Sequence, residues 1–344
     1  MIREQTATQV QNLIADIINR RILEAEVIHP AYAELWRRVL AISLHGGKRT
    51  RPYLTMLGYG QFDDKVVPIA AAQELLHIAM LMHDDIIDQD SIRHGVKNIT
   101  GLYVDSYGEH AAEQAAHFAN SAALLAGDAL ISEAYQCIAA SDVSLETAKM
   151  LHKRLGQSIF EVIGGELMDV EAGFVKDTDY DPFDIYYYKT ASYSFVGPLV
   201  TGALSAGADK ETINLFKRYG TEAGIAFQLQ DDILGLYGDP EVTGKSVLTD
   251  LREGKATHLI DIHKQHYTPE MKARFDVLFG NQDVADEEIA ILKQDIIDSG
   301  ARQAVEDRIG ERYRLALNEL NHLTNEPQRA ELRAFTEKLM GRTL

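Results

Sequence analysis

The sequence predicts an all-α fold. Apolar residues recur at helical spacing in every long segment, alternating strand-like patterns are nearly absent, and no proline interrupts the chain between Pro68 and Pro182. Hydrophobic residues make up 46% of the 344, enough for a large core, and no boundary separates two independent cores. A single domain over residues 1–344 is expected, with 286–344 as a peripheral helical layer.

Residues 1–28 read as an amphipathic helix with Val10, Leu13, Ile14, Ile17, Ile18 and Ile22 on one side. Pro30 marks a break, and a second helix follows over 31–44. His45-Gly46-Gly47-Lys48-Arg49-Thr50-Arg51-Pro52 is a loop by composition, with Pro52 suited to the first turn of the next helix. Pro68 opens a long helix that is nearly all apolar over 69–82 and therefore reads as buried. Segments 109–140, 142–173 and 184–206 show helical spacing, with single glycines, Gly95 among them, as punctuation. Residues 174–184 form an acidic connection, and Gly197-Pro198 is expected to kink its helix. A further apolar helix ends at Asp231-Asp232; a loop over 238–246 follows, and 251–255 leads into another helix.

Composition narrows the function. A net charge of −18 argues against nucleic acid, which needs a basic footprint, and against anionic lipid. The single cysteine, Cys137, allows no disulfide framework, so a reducing cytoplasm is the simplest compartment. No apolar run follows Met1-Ile2-Arg3-Glu4-Gln5, so no signal peptide is expected. No uncharged apolar stretch reaches the roughly 20 residues of a membrane span, so no stable membrane insertion is expected either.

The chemistry is concentrated in His83-Asp84-Asp85-Ile86-Ile87-Asp88-Gln89-Asp90, at the end of the long apolar helix. Asp84 and Asp88 stand one turn apart on one face, with Asp85 beside them. Like charges at that spacing repel, and carboxylates late in a helix oppose its dipole. A cation between them removes both penalties. Gln228-Leu229-Gln230-Asp231-Asp232 repeats the pattern. One acidic cluster alone is usually a solvated face or a cap; two at the ends of apolar helices are not. The oxygen-only donor set suits a hard cation, and without a Cys/His grouping zinc is disfavoured. Mg²⁺ completes its shell with water and phosphate oxygens, so two facing clusters imply a polyphosphate held through several Mg²⁺ ions. Gly47 and its neighbours place flexible backbone beside Lys48, Arg49 and Arg51; with Arg93, Lys189, Lys245 and Lys255 these form a dispersed diphosphate clamp. A P-loop reading of 238–246 fails on glycine spacing and on the helix before it.

Together, Gly46-Gly47-Lys48-Arg49-x-Arg51-Pro52, Glu74-Leu75-Leu76-His77, His83-Asp84-Asp85-x-x-Asp88 with Arg93, Lys189-Thr190, Phe227-Gln228-Leu229-x-Asp231-Asp232 and Gly244-Lys245 resemble the trans-isoprenyl diphosphate synthase (polyprenyl synthetase) family. The motifs fall in family order over roughly residues 40–260. The resemblance implies an all-α bundle around a deep central cavity, a homodimer, and about three Mg²⁺ ions bound with diphosphate. It implies head-to-tail condensation of isopentenyl diphosphate with an allylic diphosphate. Asp84, Asp88 and Asp231 would ligate Mg²⁺, supported by Asp85 and Asp232. Arg93, Lys189, Lys245 and Lys255 would hold the allylic diphosphate, with Thr190 and Gln228 near the reacting carbon. Gly47, Lys48, Arg51 and His77 would hold isopentenyl diphosphate.

Two positions depart from the family pattern. His94 stands where the family usually has a second arginine that contacts isopentenyl diphosphate, so this contact is expected to be weaker or pH-dependent. Gly235 stands where many members have a third aspartate. Product length is expected to depend on Met80, one turn below Asp84, and on Ala79. Neither is aromatic, so a tail running toward Leu125, Asp128 or Ser132 and a product of geranylgeranyl length or longer are favoured over farnesyl. The alternatives are a terpene cyclase, which needs no second diphosphate site, and a non-catalytic subunit of a heteromeric synthase, which would be expected to lose aspartates or lysines.

Overall fold

The computed structural model describes residues 2–108, 112–175, 180–238, 251–252, 254–255 and 257–341. The chain divides into two compact units, Met1–Leu155 with Pro198–Ala208, and Gly156–Gly197 with Asp209–Leu344.

In the first unit, α1 (Ile2–Ile28) packs on α2 (Pro30–Leu44), and both approach α3 (Thr50–Tyr59), α4 (Val67–Ile87), α5 (Ile99–Tyr107) or α6 (Ala112–Ala139). Pro30 starts α2 rather than merely ending α1, because it sits in the first turn and His29 caps the end: its Nδ1 accepts from the Ala31 N–H at 3.1 Å. The centre of the unit is α4 against α6. Ile69, Ala71, Ala72, Leu75, Leu76, Ile78, Ala79 and Met82 are all buried, as the apolar run requires. The stretch Asp64–Ile87 is long and apolar enough to cross a membrane by length and composition, but 72% of its apolar window is buried in the protein. Burial accounts for its composition.

After α4 comes an element that the helical periodicity does not reveal. Strands β1 (Ile92–Arg93) and β2 (Val96–Lys97) pair antiparallel, with Ile92 opposite Lys97 and Arg93 opposite Val96. Between them His94 and Gly95 both have left-handed backbone, φ 53° and 77°, as a mirror-image two-residue turn demands. The signal for it in the sequence is a residue-glycine pair between two short β-branched segments.

Helix α7 (Leu145–Phe174) runs through the boundary at Leu155. In the second unit, α8 (Pro182–Ile185) leads into a π-helix (Tyr186–Val196); α-helical register resumes in α9 (Gly197–Ser205), which from Pro198 on belongs to the first unit. The change of register lies where a kink is expected from sequence. Gly197 N–H donates to the Ser192 carbonyl, five residues back. Pro198 has no N–H, and in α register its ring presses on the carbonyl four residues before it. A widened helix upstream avoids that contact.

Helix α10 (Lys210–Tyr237) packs against the π-helix and against a C-terminal group made of α11 (His258–His266), α12 (Pro269–Leu278), α13 (Asp286–Asp298), α14 (Ala301–Glu319) and α15 (Glu326–Met340). Two fully buried tyrosines join these layers. Tyr313 on α14 donates to Gln230 Oε1 at 3.0 Å, and the Tyr219 hydroxyl lies 2.9 Å from Thr336 Oγ1 on α15.

Candidate active site

The first unit assembles the first aspartate cluster with a cation group. Asp84 and Asp85 occupy the last turn of α4, and Asp88 caps it, its N–H donating to the Asp84 carbonyl at 2.8 Å. The hairpin returns Arg93 over them. Its Nε donates to Asp85 Oδ1 at 2.5 Å and its Nη2 to Asp84 Oδ2 at 2.9 Å. The Asp85 carboxyl is pushed up to about 6, chiefly by burial and also by the charge of Asp84, with Arg93 opposing the rise.

Gly47, His77, Asp85, Arg93 and His94 line one cavity at this end of α4. Lys48 is exposed on the loop before α3, and Arg51 is half-buried in its first turn. The loop is held from within. Arg49 Nη1 donates to Glu74 Oε1 at 2.7 Å and Nη2 to the Ser43 carbonyl at 2.7 Å, with Arg49 buried. Arg49 also adopts φ 47°, one of three left-handed non-glycine residues among those described; the others, Gln89 and His94, follow Asp88 on the way into and through the hairpin. Burial, then the charges of Arg51, Arg93, Arg49 and His94, hold His77 well below the ordinary histidine range. Burial and the charge of Arg93 lower His94 as well. At the cavity, burial and the neighbouring arginines thus disfavour the charged forms of His77 and His94.

Ala79 is fully buried and Met80 half-buried, while Leu125, Asp128 and Ser132 lie on α6, with Leu125 61% exposed. His83 lies 3.2 Å from the Leu124 carbonyl through Nε2, which ties α6 to α4 beside the cluster.

The second unit builds the other cluster by close backbone approach. A Cβ on Gly165 of α7 would fall 2.2 Å from the Lys189 nitrogen, and one on Gly224 of α10 would fall 2.5 Å from the Ala191 Cβ. Two glycines therefore let the π-helix lie tightly against both neighbours, placing Lys189 and Thr190 on adjacent positions of a widened turn. Lys189 Nζ sits between Asp169 Oδ2, at 2.5 Å, and Glu166 Oε2, at 3.0 Å. Thr190 Oγ1 donates to Gln228 Oε1 at 2.7 Å, and Gln228 Nε2 donates to Asp232 Oδ1 at 3.0 Å. The Tyr186 hydroxyl donates to Asp232 Oδ2 at 2.5 Å and accepts from the His258 N–H at 2.8 Å. Burial and the Asp232 charge push the Tyr186 hydroxyl well above the ordinary tyrosine range. Asp231 is half-buried beside Asp232, and Lys255 is half-buried just before α11. Lys245 and Gly244 lie outside the described residues.

Glu166, Asp169 and Tyr186 do not stand out in the sequence reading. A glycine inside an apolar helix followed by carboxylates three residues apart is the signal for the first two. Nothing in the sequence distinguishes Tyr186 from Tyr187 and Tyr188.

Each cluster, taken by itself, fits a hard divalent cation. The donors are carboxylate oxygens. In the first cluster two adjacent carboxylates share one guanidinium, and burial pushes Asp85 up to about 6, a penalty that a bound cation reverses. In the second, Gln228 and Tyr186 each donate to a different oxygen of Asp232 and so orient the carboxylate.

The polyprenyl synthetase family model matches residues 33–296. The chain belongs to the polyprenyl synthetase family. Among its relatives in that family, the geranylfarnesyl diphosphate synthase of Aeropyrum pernix is 34% identical over 286 residues, 79% of this chain and 83% of that one. The geranylgeranyl diphosphate synthase of Sulfolobus acidocaldarius is 31% identical over 288 residues, 81% of this chain and 82% of that one. A crystal structure of geranylgeranyl pyrophosphate synthase from Corynebacterium glutamicum, complexed with isoprenyl diphosphate and magnesium, aligns with a TM-score of 0.88 and 28% identity, covering 97% of this chain and 99% of that one. The fold is therefore the all-α helical bundle of isoprenoid synthases, and this polyprenyl synthetase is a prenyltransferase that works by head-to-tail prenyl diphosphate condensation.

Proposed function

We propose that the chain condenses isopentenyl diphosphate with an allylic prenyl diphosphate in a Mg²⁺-dependent reaction, giving a linear trans-prenyl diphosphate of geranylgeranyl length or longer. The observation that carries this is at the end of α4. Asp84 and Asp85, suited to a hard cation, share Arg93 with a cavity that Gly47, His77 and His94 also line, so metal-binding and anion-binding groups adjoin.

Asp84, Asp85, Asp88, Asp231 and Asp232 are the proposed metal ligands. When bound, Mg²⁺ supplies the positive charge that stabilises the departing diphosphate. Lys189, Arg93, Lys255 and Lys245 hold the allylic diphosphate, and Gly47, Lys48, Arg51, His77 and His94 hold isopentenyl diphosphate. Glu166 and Asp169 hold the Lys189 ammonium in place. Thr190 and Gln228 hold their dipoles in one hydrogen-bonded line, so little reorganisation is needed as charge develops on the allylic carbon. The double bond of isopentenyl diphosphate attacks that carbon from a fixed position, and the released diphosphate takes the final proton.

The small side chain of Ala79 and the non-aromatic Met80 support a long product. A homodimer in the cytoplasm is part of the same reading. Phe160, Ile163, Leu167 and Phe174 on α7 are exposed at 76%, 55%, 67% and 88%, an apolar stripe suited to a second copy. The buried Cys137, its thiol pushed up to about 12 by burial, suits a reducing compartment.

The test is incubation of the purified chain with Mg²⁺, isopentenyl diphosphate and each allylic primer in turn, with products resolved by length. A linear prenyl diphosphate bears the proposal out, and its length tests the Ala79 and Met80 argument. A cyclic hydrocarbon from one primer alone transfers the chain to the cyclases. No turnover with any primer overturns the proposal for the chain by itself.

A further inference from the structure

We propose that Tyr186 is a positioning residue that fixes the carboxylate of Asp232 and ties it to the start of α11, the helix that follows Lys255. The inference rests on the assignment of Asp232 as a metal ligand.

Tyr186 is 4% exposed and opens the π-helix three residues before Lys189. Its hydroxyl is used twice. It donates to Asp232 Oδ2 at 2.5 Å and accepts the His258 N–H at 2.8 Å. The His258 N–H belongs to the first turn of α11, where backbone donors lack partners within the helix. The N-cap, Thr257, accepts from the Ile260 N–H through its side chain, and its own N–H donates to the Lys255 carbonyl at 3.1 Å. A short hydrogen-bonded path thus runs from the Lys255 backbone through the α11 N-terminus and Tyr186 to Asp232.

On the other side, Gln228 donates to the remaining oxygen of Asp232 and accepts from Thr190. Gln228 and Tyr186, from two different elements, thus each donate to a different oxygen of the carboxylate. Removing the Tyr186 hydroxyl takes away the donor on Oδ2 and with it the tie from Asp232 to the α11 N-terminus. The ring contributes separately, through packing. It stands edge-on to Phe183 with centroids 5.9 Å apart, and Phe183 packs on the His258 ring at 4.7 Å. Tyr186→Phe therefore removes the hydroxyl and keeps the packing.

The experiment uses the full-length protein with Mn²⁺ in place of Mg²⁺ and inorganic diphosphate, with bound Mn²⁺ followed by electron paramagnetic resonance, so no turnover is required. Tyr186→Phe is expected to weaken Mn²⁺ binding about tenfold or more, the range seen when a group that orients a metal ligand is lost. In metal-free protein, hydrogen exchange at the His258 amide is expected to speed up. Asp232→Asn and the double variant complete a mutant cycle. If Tyr186 acts through Asp232, its replacement has little further effect once Asp232 is Asn. Equal weakening in both backgrounds assigns Tyr186 a general structural role and overturns the proposal, as does unchanged Mn²⁺ affinity in Tyr186→Phe. Absence of Mn²⁺ binding in the unaltered chain overturns the metal assignment itself, and the proposal with it; metal binding without prenyl transfer fails only the proposed reaction.

Discussion

Arg49 and Glu74 form an ion pair of 2.7 Å in which the side chains are only 7% and 3% exposed. The pair joins the glycine loop before α3 to the middle of α4, and so sets where Gly47 stands relative to His77. Glu74→Ala leaves a guanidinium buried without its carboxylate. The expected cost is about 3–5 kcal/mol, measured by urea unfolding. A loss below about 1 kcal/mol would mean that the guanidinium finds water or another partner.

Asp84 and Asp231 are half-buried at the ends of their apolar helical runs, outside the apolar core. Asp84→Ala or Asp231→Ala should lower the condensation rate by at least about a hundredfold with the helical circular dichroism unchanged. An active Asp84→Ala enzyme would remove the metal role from the first cluster.

Gly164 and Gly165 are neighbours with opposite expectations. A Cβ at Gly165 would fall 2.2 Å from the Lys189 nitrogen, whereas one at Gly164 meets nothing within 4 Å. Gly165→Ala should destabilise the chain by about 1–3 kcal/mol and slow the reaction by displacing Lys189. Gly164→Ala should leave activity intact and raise stability by up to about 1 kcal/mol, through helix propensity. Thermal midpoints and rates of the two variants check both.

His263 is fully buried, with Nδ1 3.0 Å from Ser299 Oγ and Nε2 without a hydrogen-bond partner among the described residues. Ser299 Oγ donates to the Ile296 carbonyl, so it accepts from His263. Tyr267 and Phe275 pack on the ring. Burial lowers its affinity for a proton, and the charge of Asp295 partly opposes this. The folded chain then binds that proton less readily than the unfolded chain. His263 contributes stability above the ordinary histidine range, lost as pH falls below about 6.5. His263→Phe should flatten the fall of the urea midpoint between about pH 7 and pH 5. An unaltered slope would assign the acid sensitivity to His77, His94 or His258, which burial also lowers.

Ala79→Phe should shorten the product. Ala79 is fully buried, so the ring must displace its neighbours, and part of the effect will register as lost stability, about 1–3 kcal/mol. Product length at saturating substrate separates the two effects. An unchanged length would mean that the tail follows another face of α4.

Much of the fold is legible in the order of residues alone. The run over 69–82 marks α4, because a helix apolar on most faces has no stable place outside a core. The aspartate clusters and the basic residues around them stand out because repelling charges on apolar helices are unfavourable without a ligand. Proline and glycine mark most boundaries correctly, but Gly95, which reads as helix punctuation, is a hairpin turn. The hairpin is two residues on each side, too short for a period to register.

The sequence by itself determined the all-α class, most of the long helices and the residue types proposed for the chemistry, since each follows from local spacing and from the cost of burying charge. Only the tertiary structure decided the pairings: Arg93 over Asp84 and Asp85, Arg49 inside the core rather than at the surface, and Tyr186 rather than Tyr187 or Tyr188 on Asp232. The physical reason is one of direction. Spacing tells which residues share a helix face, but the π register of Tyr186–Val196 and the left-handed turn at His94 re-aim side chains by changing the backbone path. Which of three adjacent tyrosines meets a carboxylate 46 residues away depends on that path, and on the two glycines that let the helices close against it.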